Sequence, residues 1–163
     1  MPCISTSSKN NIIETPLYIV NECLKLIPIQ NNDVCLDCCA GVNKIWFDNI
    51  PCENKYWCEI LEGKDFIDFN KEVDYLVGNL PFNLFKLFFE KIMKLNINKG
   101  IGIICLENSI TPTRLMRLEN KGFYLKYIRK LKIKEWKFGF NVNYYYFEKK
   151  ELNFCRVLTT SIF

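Results

Sequence analysis

Val73-Asp74-Tyr75-Leu76-Val77-Gly78-Asn79-Leu80-Pro81-Phe82 is the stretch that decides the fold. Its first six residues are an apolar run of the length of a buried strand, and it stops on a polar and proline-containing turn. The thirteen residues that follow, NLFKLFFEKIMKL, place apolar side chains at 84, 85, 88, 89, 92 and 95, the stripe of an amphipathic helix. Ile101 to Leu106 is then a second continuous apolar run, as expected of a parallel strand covered on both faces. Strand, helix and strand in this order predict a layered α/β unit.

The pattern extends in both directions. Upstream, Thr15-Pro16 opens a helix expected over LYIVNECLKLI and limited by Pro28. Val34 to Asp37 reads as the first strand. It enters the small-residue turn CCAGVN and then a short helix, KIWFDNI. Tyr56 to Ile60 reads as the second strand, and Phe66 to Phe69 as a fragment of another. Downstream, Ser109 to Lys121 reads as a helix ended by Gly122. Phe123 to Ile133 and Val142 to Glu148 read as an antiparallel hairpin at one end of the sheet. All 163 residues are expected to form one domain, with the polar residues 1–11 flexible.

Composition narrows the function. The chain contains no histidine, which excludes His-based acid–base catalysis and His-ligated metals. Nine cysteines is an odd number, and no apolar leader is visible, so the thiols are expected to be reduced in a cytoplasmic compartment. Cys35, Cys38, Cys39, Cys52 and Cys58 lack paired CxxC spacing, so no metal site is expected. No apolar run reaches the length of a membrane span. The 18 Lys against 4 Arg, with 18 Asn, 19 Ile and a single Ala, point to an AT-rich genome of microbial, viral or organellar type rather than to chemistry.

Ligands of open α/β sheets bind beyond the carboxyl ends of strands. Four features fall there. The turn Leu36-Asp37-Cys38-Cys39-Ala40-Gly41-Val42-Asn43 lets a ligand approach backbone amides, or is simple strand–helix packing. Glu59, 22 positions after Asp37, can bind ribose hydroxyls or be a surface carboxylate. Asp65 beside Phe66 can accept an adenine amino hydrogen and stack its ring, or form a plain turn. Asn79 to Phe82 offers an amide, a carbonyl held by proline and a flat aromatic face. That combination suits a flat group carrying an exocyclic amine, or is a strand–helix turn with Asn as cap.

Together and in this order, the four features resemble the class I S-adenosylmethionine-dependent methyltransferases, of the type that modifies the N6 amino group of adenine in DNA or RNA. The resemblance covers about residues 14 to 149. It implies a Rossmann-like fold with S-adenosylmethionine as cofactor. Thr15, Pro16, Asp37, Cys38, Ala40, Gly41, Glu59, Ile60, Asp65 and Phe66 would bind that cofactor. Asn79, Leu80, Pro81 and Phe82 would orient the target base. Leu80 is nearer the Asn-Leu-Pro-Tyr/Phe form of ribosomal RNA adenine dimethylases. Cys38 stands where the family has Pro, and Asn43 where it has a second Gly. Asn tolerates positive φ, so the turn is expected to survive. Only twelve residues separate Ile60 from Val73, where the family places a helix, a strand and a helix. The middle of the sheet is therefore truncated, and a second copy or a partner subunit is expected to close the bare side.

Residues 126 to 137, KYIRKLKIKEWK, carry six cations against Glu135, a net +5. With the aromatics around them they suit nucleic acid, or form the solvated face of a Lys-rich strand. Lys130, Lys132, Lys134, Trp136 and Lys137, with Arg114 and Arg117 from the preceding helix, are the expected nucleic-acid contacts. Gly139 between Phe138 and Phe140 gives this loop freedom to move. Two other readings stand beside the enzyme on adenine: a non-catalytic subunit of the same fold, and an enzyme acting on a glutamine side-chain amide.

Overall fold

The computed structural model describes residues 13–137 and 139–150. The flexibility expected of residues 1–11 falls outside them. Six strands form one sheet in the order β2-β1-β3-β4-β6-β5. The strands are β1 Val34–Asp37, β2 Asn54–Trp57, β3 Val73–Asn79, β4 Ile97–Leu106, β5 Phe123–Leu131 and β6 Val142–Lys149. The first four are mutually parallel, while β6 runs antiparallel to both β4 and β5. Val77 pairs with both Asp37 and Gly102, which brings the carboxyl ends of the parallel strands to one rim.

The helices are α1 Leu17–Leu24, α2 Ile45–Asn49, α3 Phe85–Lys94 and α4 Pro112–Asn120. Strand alternation separates two cores. On one face Tyr145 and Phe147 of β6 join Phe85, Phe88, Phe89 and Ile92 of α3 and Leu118 of α4. On the other, Tyr144 and Tyr146 join Val20, Leu24 and Ile27 at α1, with Trp46 of α2. Seven described cysteines are free thiols, and six of them are buried.

Several elements differ from the sequence reading: α4 starts at Pro112 rather than Ser109, with Glu107–Ser109 a separate 3-10 turn, and β5 ends at Leu131 rather than Ile133. Phe66–Asp68 is a 3-10 turn rather than a strand fragment, because the Asp65 side chain accepts a hydrogen bond from the Ile67 N–H and caps it. The second strand is Asn54–Trp57, and Ile60–Glu62 is another 3-10 turn, capped by Glu59. Helix α1 ends at Leu24, and Lys25 and Leu26 follow in a turn, so Ile27 lies outside the helix. The truncated middle is thus two capped turns between β2 and β3, and among the described residues no strand pairs with the outer edge of β2. Lysine amines lie over its rings: Lys64 is 3.5 Å and Lys44 4.4 Å from the Trp57 centroid, and Lys71 is 4.4 Å from that of Tyr56. Among the described residues no helix is long and apolar enough to cross a membrane.

Candidate active site

A cleft of about 1110 Å³ opens at the rim where β1 and β3 end. Asn79, Leu80, Pro81 and Phe82 form one wall. Cys38, Glu59, Ile60, Asp65 and Phe66 form the opposite side, and Trp136 with Lys137 closes the top. The wall is set by the strand end. Leu80 N–H donates to the Ile104 carbonyl at 3.0 Å, and Leu84 N–H to the Pro81 carbonyl at 3.0 Å. The intervening backbone is held extended, with Pro81 at φ −63° and ψ 119°. Gly78 sits at φ +147°, and a Cβ there would meet Asp37 Oδ1 at 3.2 Å and Cys38 Sγ at 3.3 Å. Glycine thus allows β3 to pass close to the β1 turn just before Asn79.

Asn79 Nδ2 donates to the Ile13 carbonyl at 3.3 Å, while its Oδ1 is buried with no hydrogen-bond partner. A buried acceptor without a donor is costly, so this oxygen is a place where a ligand N–H or O–H would be favoured. Phe82 meets Trp136 edge-on, with ring centroids 6.4 Å apart and planes at 73°.

On the opposite side, Glu59 Oε1 accepts from Leu61 N–H at 3.0 Å and Asp65 Oδ1 from Ile67 N–H at 2.9 Å. Each carboxylate keeps a second oxygen for a ligand. Phe66 is only 2% exposed and packs on Phe88 at a centroid distance of 5.1 Å, so it floors the cleft instead of presenting a free face. Ile60, in contrast, is 58% exposed at the lip.

Asp37 lies beneath the turn, fully buried, and does not line the cleft. Its Oδ2 accepts from Phe47 N–H at 3.0 Å and its Oδ1 from Cys39 N–H at 3.3 Å, joining β1 to α2. Positive φ in the turn falls at Gly41 (+67°) and at Lys44 (+49°), not at Asn43. Asn43 instead donates its backbone N–H and its amide to the Glu14 carboxylate. Asn43, one of the two departures noted above, is therefore a latch onto the segment preceding α1.

That segment crosses the site as a strap. Ile13 binds Asn79, Glu14 binds Asn43, and the Glu14 carbonyl accepts from Trp136 Nε1 at 2.9 Å. Beneath it a smaller cavity of about 40 Å³ is lined by Ile13, Glu14, Thr15, Ala40, Gly41, Ile45, Trp46 and Asn79. Pro16 caps α1 and lines neither space. The strap and Trp46 are absent from the sequence reading. The available signal is that a tryptophan just past a glycine turn must find a partner for its N–H when buried.

The basic residues divide. Arg117 makes two hydrogen bonds to the Glu90 carboxylate at 2.6 and 2.8 Å. Arg114 donates to the Ser109 carbonyl at 2.7 Å and lies 5.0 Å from the Phe85 ring centroid. Both are engaged in packing α4 on α3, away from the cleft. Lys130 lies 3.4 Å from Glu107. Lys132 and Lys134 are exposed and do not line the cleft, whereas Lys137 does. Among the described residues no group of three Cys, Asp or Glu side chains is placed to hold a metal ion.

Burial pushes the Asp37 carboxyl up to about 7. The folded state then binds a proton that the unfolded chain releases near pH 4, so stability falls as pH rises from about 4 to 7 and levels off above. The paired carboxylates Glu22 and Glu90 are shifted down and act below that range. The melting temperature is expected to drop between pH 5 and 7.5, and the drop to vanish in Asp37→Asn even though that variant melts lower throughout. An unchanged slope in the variant would assign the titration elsewhere.

The sheet order, the hairpin end and the cleft beyond β1 and β3 define a Rossmann-like methyltransferase fold. Solved structures agree. The chain superposes with a TM-score of 0.66 at 9% identity on the 23S rRNA methyltransferase ErmE, covering 83% of this chain and 69% of that one. It does so with a TM-score of 0.63 at 14% identity on the M. jannaschii tRNA m1G37 methyltransferase, covering 85% and 51%. A dimethyladenosine transferase from Plasmodium falciparum gives 0.60 at 11% identity, covering 85% and 63%. The chain thus spans between half and about two thirds of their lengths. No family model and no curated protein sequence matches it.

Proposed function

We propose that the chain is an S-adenosylmethionine-dependent methyltransferase acting on the N6 amino group of adenine in nucleic acid, in RNA before DNA. Asn79 carries the reading: a buried amide oxygen without a donor, in the wall of a cleft large enough for a nucleoside cofactor and a base together. The names of the neighbours support RNA, but they span several target atoms, so the fold does not choose among them.

The residues fit the cofactor. The second oxygens of Glu59 and Asp65 suit ribose hydroxyls and the adenine amine, between the apolar surfaces of Ile60 and Phe66. When bound, the cofactor supplies a methyl group on a sulfonium. Asn79 Oδ1 and the Leu80 carbonyl accept the two hydrogens of the target amine and turn its lone pair toward that methyl. Held in this way, the amine nitrogen would take the methyl group from sulfur, and its extra proton would leave to water past the Asn79 and Leu80 acceptors. Phe82 and Trp136 provide the surfaces for the base. Orientation is the catalytic contribution, and no general base is required. A base within a duplex must first be flipped out.

Titration calorimetry with S-adenosylhomocysteine tests the cofactor site. Glu59→Ala is expected to weaken binding at least tenfold, as for loss of a charge-assisted hydrogen bond. Unchanged affinity would remove Glu59 from the site. Methyl transfer to RNA and DNA oligonucleotides with an unpaired adenine then ranks the substrates. A non-catalytic subunit is the second reading, favoured by the bare β2 side with Ile60 and Leu61 exposed beside it. On either reading a second copy or a partner subunit closes that side. A monomer in sedimentation velocity at micromolar concentration would count against the second copy.

A further inference from the structure

Cys38 and Cys39 follow the end of β1, and their sulfurs lie 3.6 Å apart. Consecutive residues of a strand point to opposite faces, so the two thiols converge only because the chain turns after Asp37. Three contacts fix that turn. Cys38 N–H donates to the Val77 carbonyl at 3.0 Å, Cys39 N–H to Asp37 Oδ1 at 3.3 Å, and Ala40 N–H to the Cys58 carbonyl at 2.9 Å. Gly78 of β3 leaves the room, since a Cβ there would meet the two sulfurs at 3.3 and 3.5 Å. Both residues line the cleft, Cys38 buried and Cys39 half-buried. Cys38, where the resembled family has Pro, supplies the second sulfur. The pair has no part in the methyl transfer described above.

The spacing selects the chemistry. A disulfide needs its sulfurs at about 2.05 Å, and consecutive Cα atoms, about 3.8 Å apart, are closer than the ~4.4–6.8 Å usual for that bond. Burial also pushes the Cys39 thiol up, which removes the thiolate that oxidation and exchange require. One soft atom bonded to both sulfurs has neither requirement. It leaves them at non-bonded separation and condenses with protonated thiols. A divalent metal ion would need further protein ligands, and among the described residues no group of three Cys, Asp or Glu is placed to supply them. A trivalent arsenic centre needs two sulfurs and carries its third substituent with it, and thiol sulfur is the soft donor it favours.

We propose that Cys38 and Cys39 form a dithiol site for trivalent arsenicals in the wall of the cleft, and that its occupation closes the cleft. With an arsine oxide, two sulfur–hydrogen bonds and the arsenic–oxygen bond break, and two arsenic–sulfur bonds form. The oxygen leaves as water with the two thiol protons. Arsenic stays trivalent, so no oxidant or reductant takes part. The organic substituent then projects into a cleft of about 1110 Å³, which has room for a phenyl ring.

The test adds phenylarsine oxide to the full, folded chain in excess monothiol, with intact mass as the readout. One adduct per chain is expected, released by a 1,2-dithiol such as dimercaptopropanol. Protease digestion of the wild-type adduct should leave the arsenical on the peptide holding residues 38 and 39, a result that does not depend on how any variant folds. Cys38→Ala and Cys39→Ser should each weaken retention at least about a hundredfold, as when a two-point attachment becomes a one-point one. Cys58→Ser, at the third cysteine of the cleft, should retain the adduct. So should Cys52→Ser, since Cys35 and Cys52 belong to the core on the α1 face and line no part of the cleft. An adduct mapped to other cysteines, or one retained in both Cys38→Ala and Cys39→Ser, would overturn the site. A further arm rests on the methyltransferase reading: saturating S-adenosylhomocysteine should slow adduct formation at least tenfold. Unslowed reaction of the saturated protein would overturn the closure, whereas the mapped adduct stands or falls without that reading.

Discussion

Asn79→Ala is expected to lower the rate of methyl transfer by about a hundred- to a thousandfold, the loss seen when one preorganised polar group is taken from a reacting centre. Cofactor affinity should change by no more than about threefold, because Glu59 and Asp65 on the opposite wall are untouched. The asymmetry follows from the two ends of one amide. Nδ2 is committed to the Ile13 carbonyl, and Oδ1 is the free acceptor. Asn79→Asp separates their roles, since it keeps an acceptor for the amine and loses the donor to the strap. It should retain more activity than the alanine variant. Single-turnover transfer with saturating cofactor is the measurement. Wild-type turnover in Asn79→Ala would remove the acceptor wall from the chemistry.

The largest effect on stability is expected at Gly102, in the middle of β4. A Cβ there would lie 2.5 Å from the Tyr144 hydroxyl oxygen and 2.7 Å from Ile27 Cδ1. Gly100, two residues earlier and so on the same face, would place one 2.9 Å from the Tyr146 ring. The two glycines form the trough in which the β6 tyrosines lie under α1. Gly102→Ala should cost about 1–3 kcal/mol as an overpacked core does, lowering the melting temperature by roughly 3–10 °C. Tyr144 offers the control. Its hydroxyl is buried without a partner, so Tyr144→Phe should be neutral or stabilising alone. It should also restore part of the loss in the double variant by removing the oxygen nearest the new methyl. An alanine variant that melts with the wild type would show that the trough has slack.

What the sequence discloses depends on how local the cause is. Continuous apolar runs located β3 and β4, and the 3.6-residue stripe located α3, because burial on both faces and on one face leave different periods. That Asn79 to Phe82 lies at the cleft was legible for the same reason: the four residues are contiguous and follow a strand directly. The turn at Phe66 to Phe69 was not, since a mostly apolar four-residue run looks like a strand until the Asp65 cap bends it into a turn. Asn43 was read through backbone conformation, yet it acts through its side chain on Glu14, 29 residues away. Trp46 and the strap share that difficulty. They meet only because four separate segments converge at one cavity, which no spacing along the chain encodes. The basic hairpin shows the converse. Charge counting found the patch, while the structure assigns Lys126, Arg129 and Lys130 to Glu148, Glu22 and Glu107, respectively.

The lysine-covered rings of the β2 edge have a consequence for handling the protein. A bare strand with half-buried aromatics is a template for association, and here the ammonium groups over Trp57 and Tyr56 keep it hydrated. The colloidal behaviour of the chain is therefore tied to the charge on a few amines. Replacing Lys44, Lys64 and Lys71 together by Gln would strip that cover without touching the Lys99–Asp33 pair, and turbidity should then rise at concentrations where the unchanged protein stays clear.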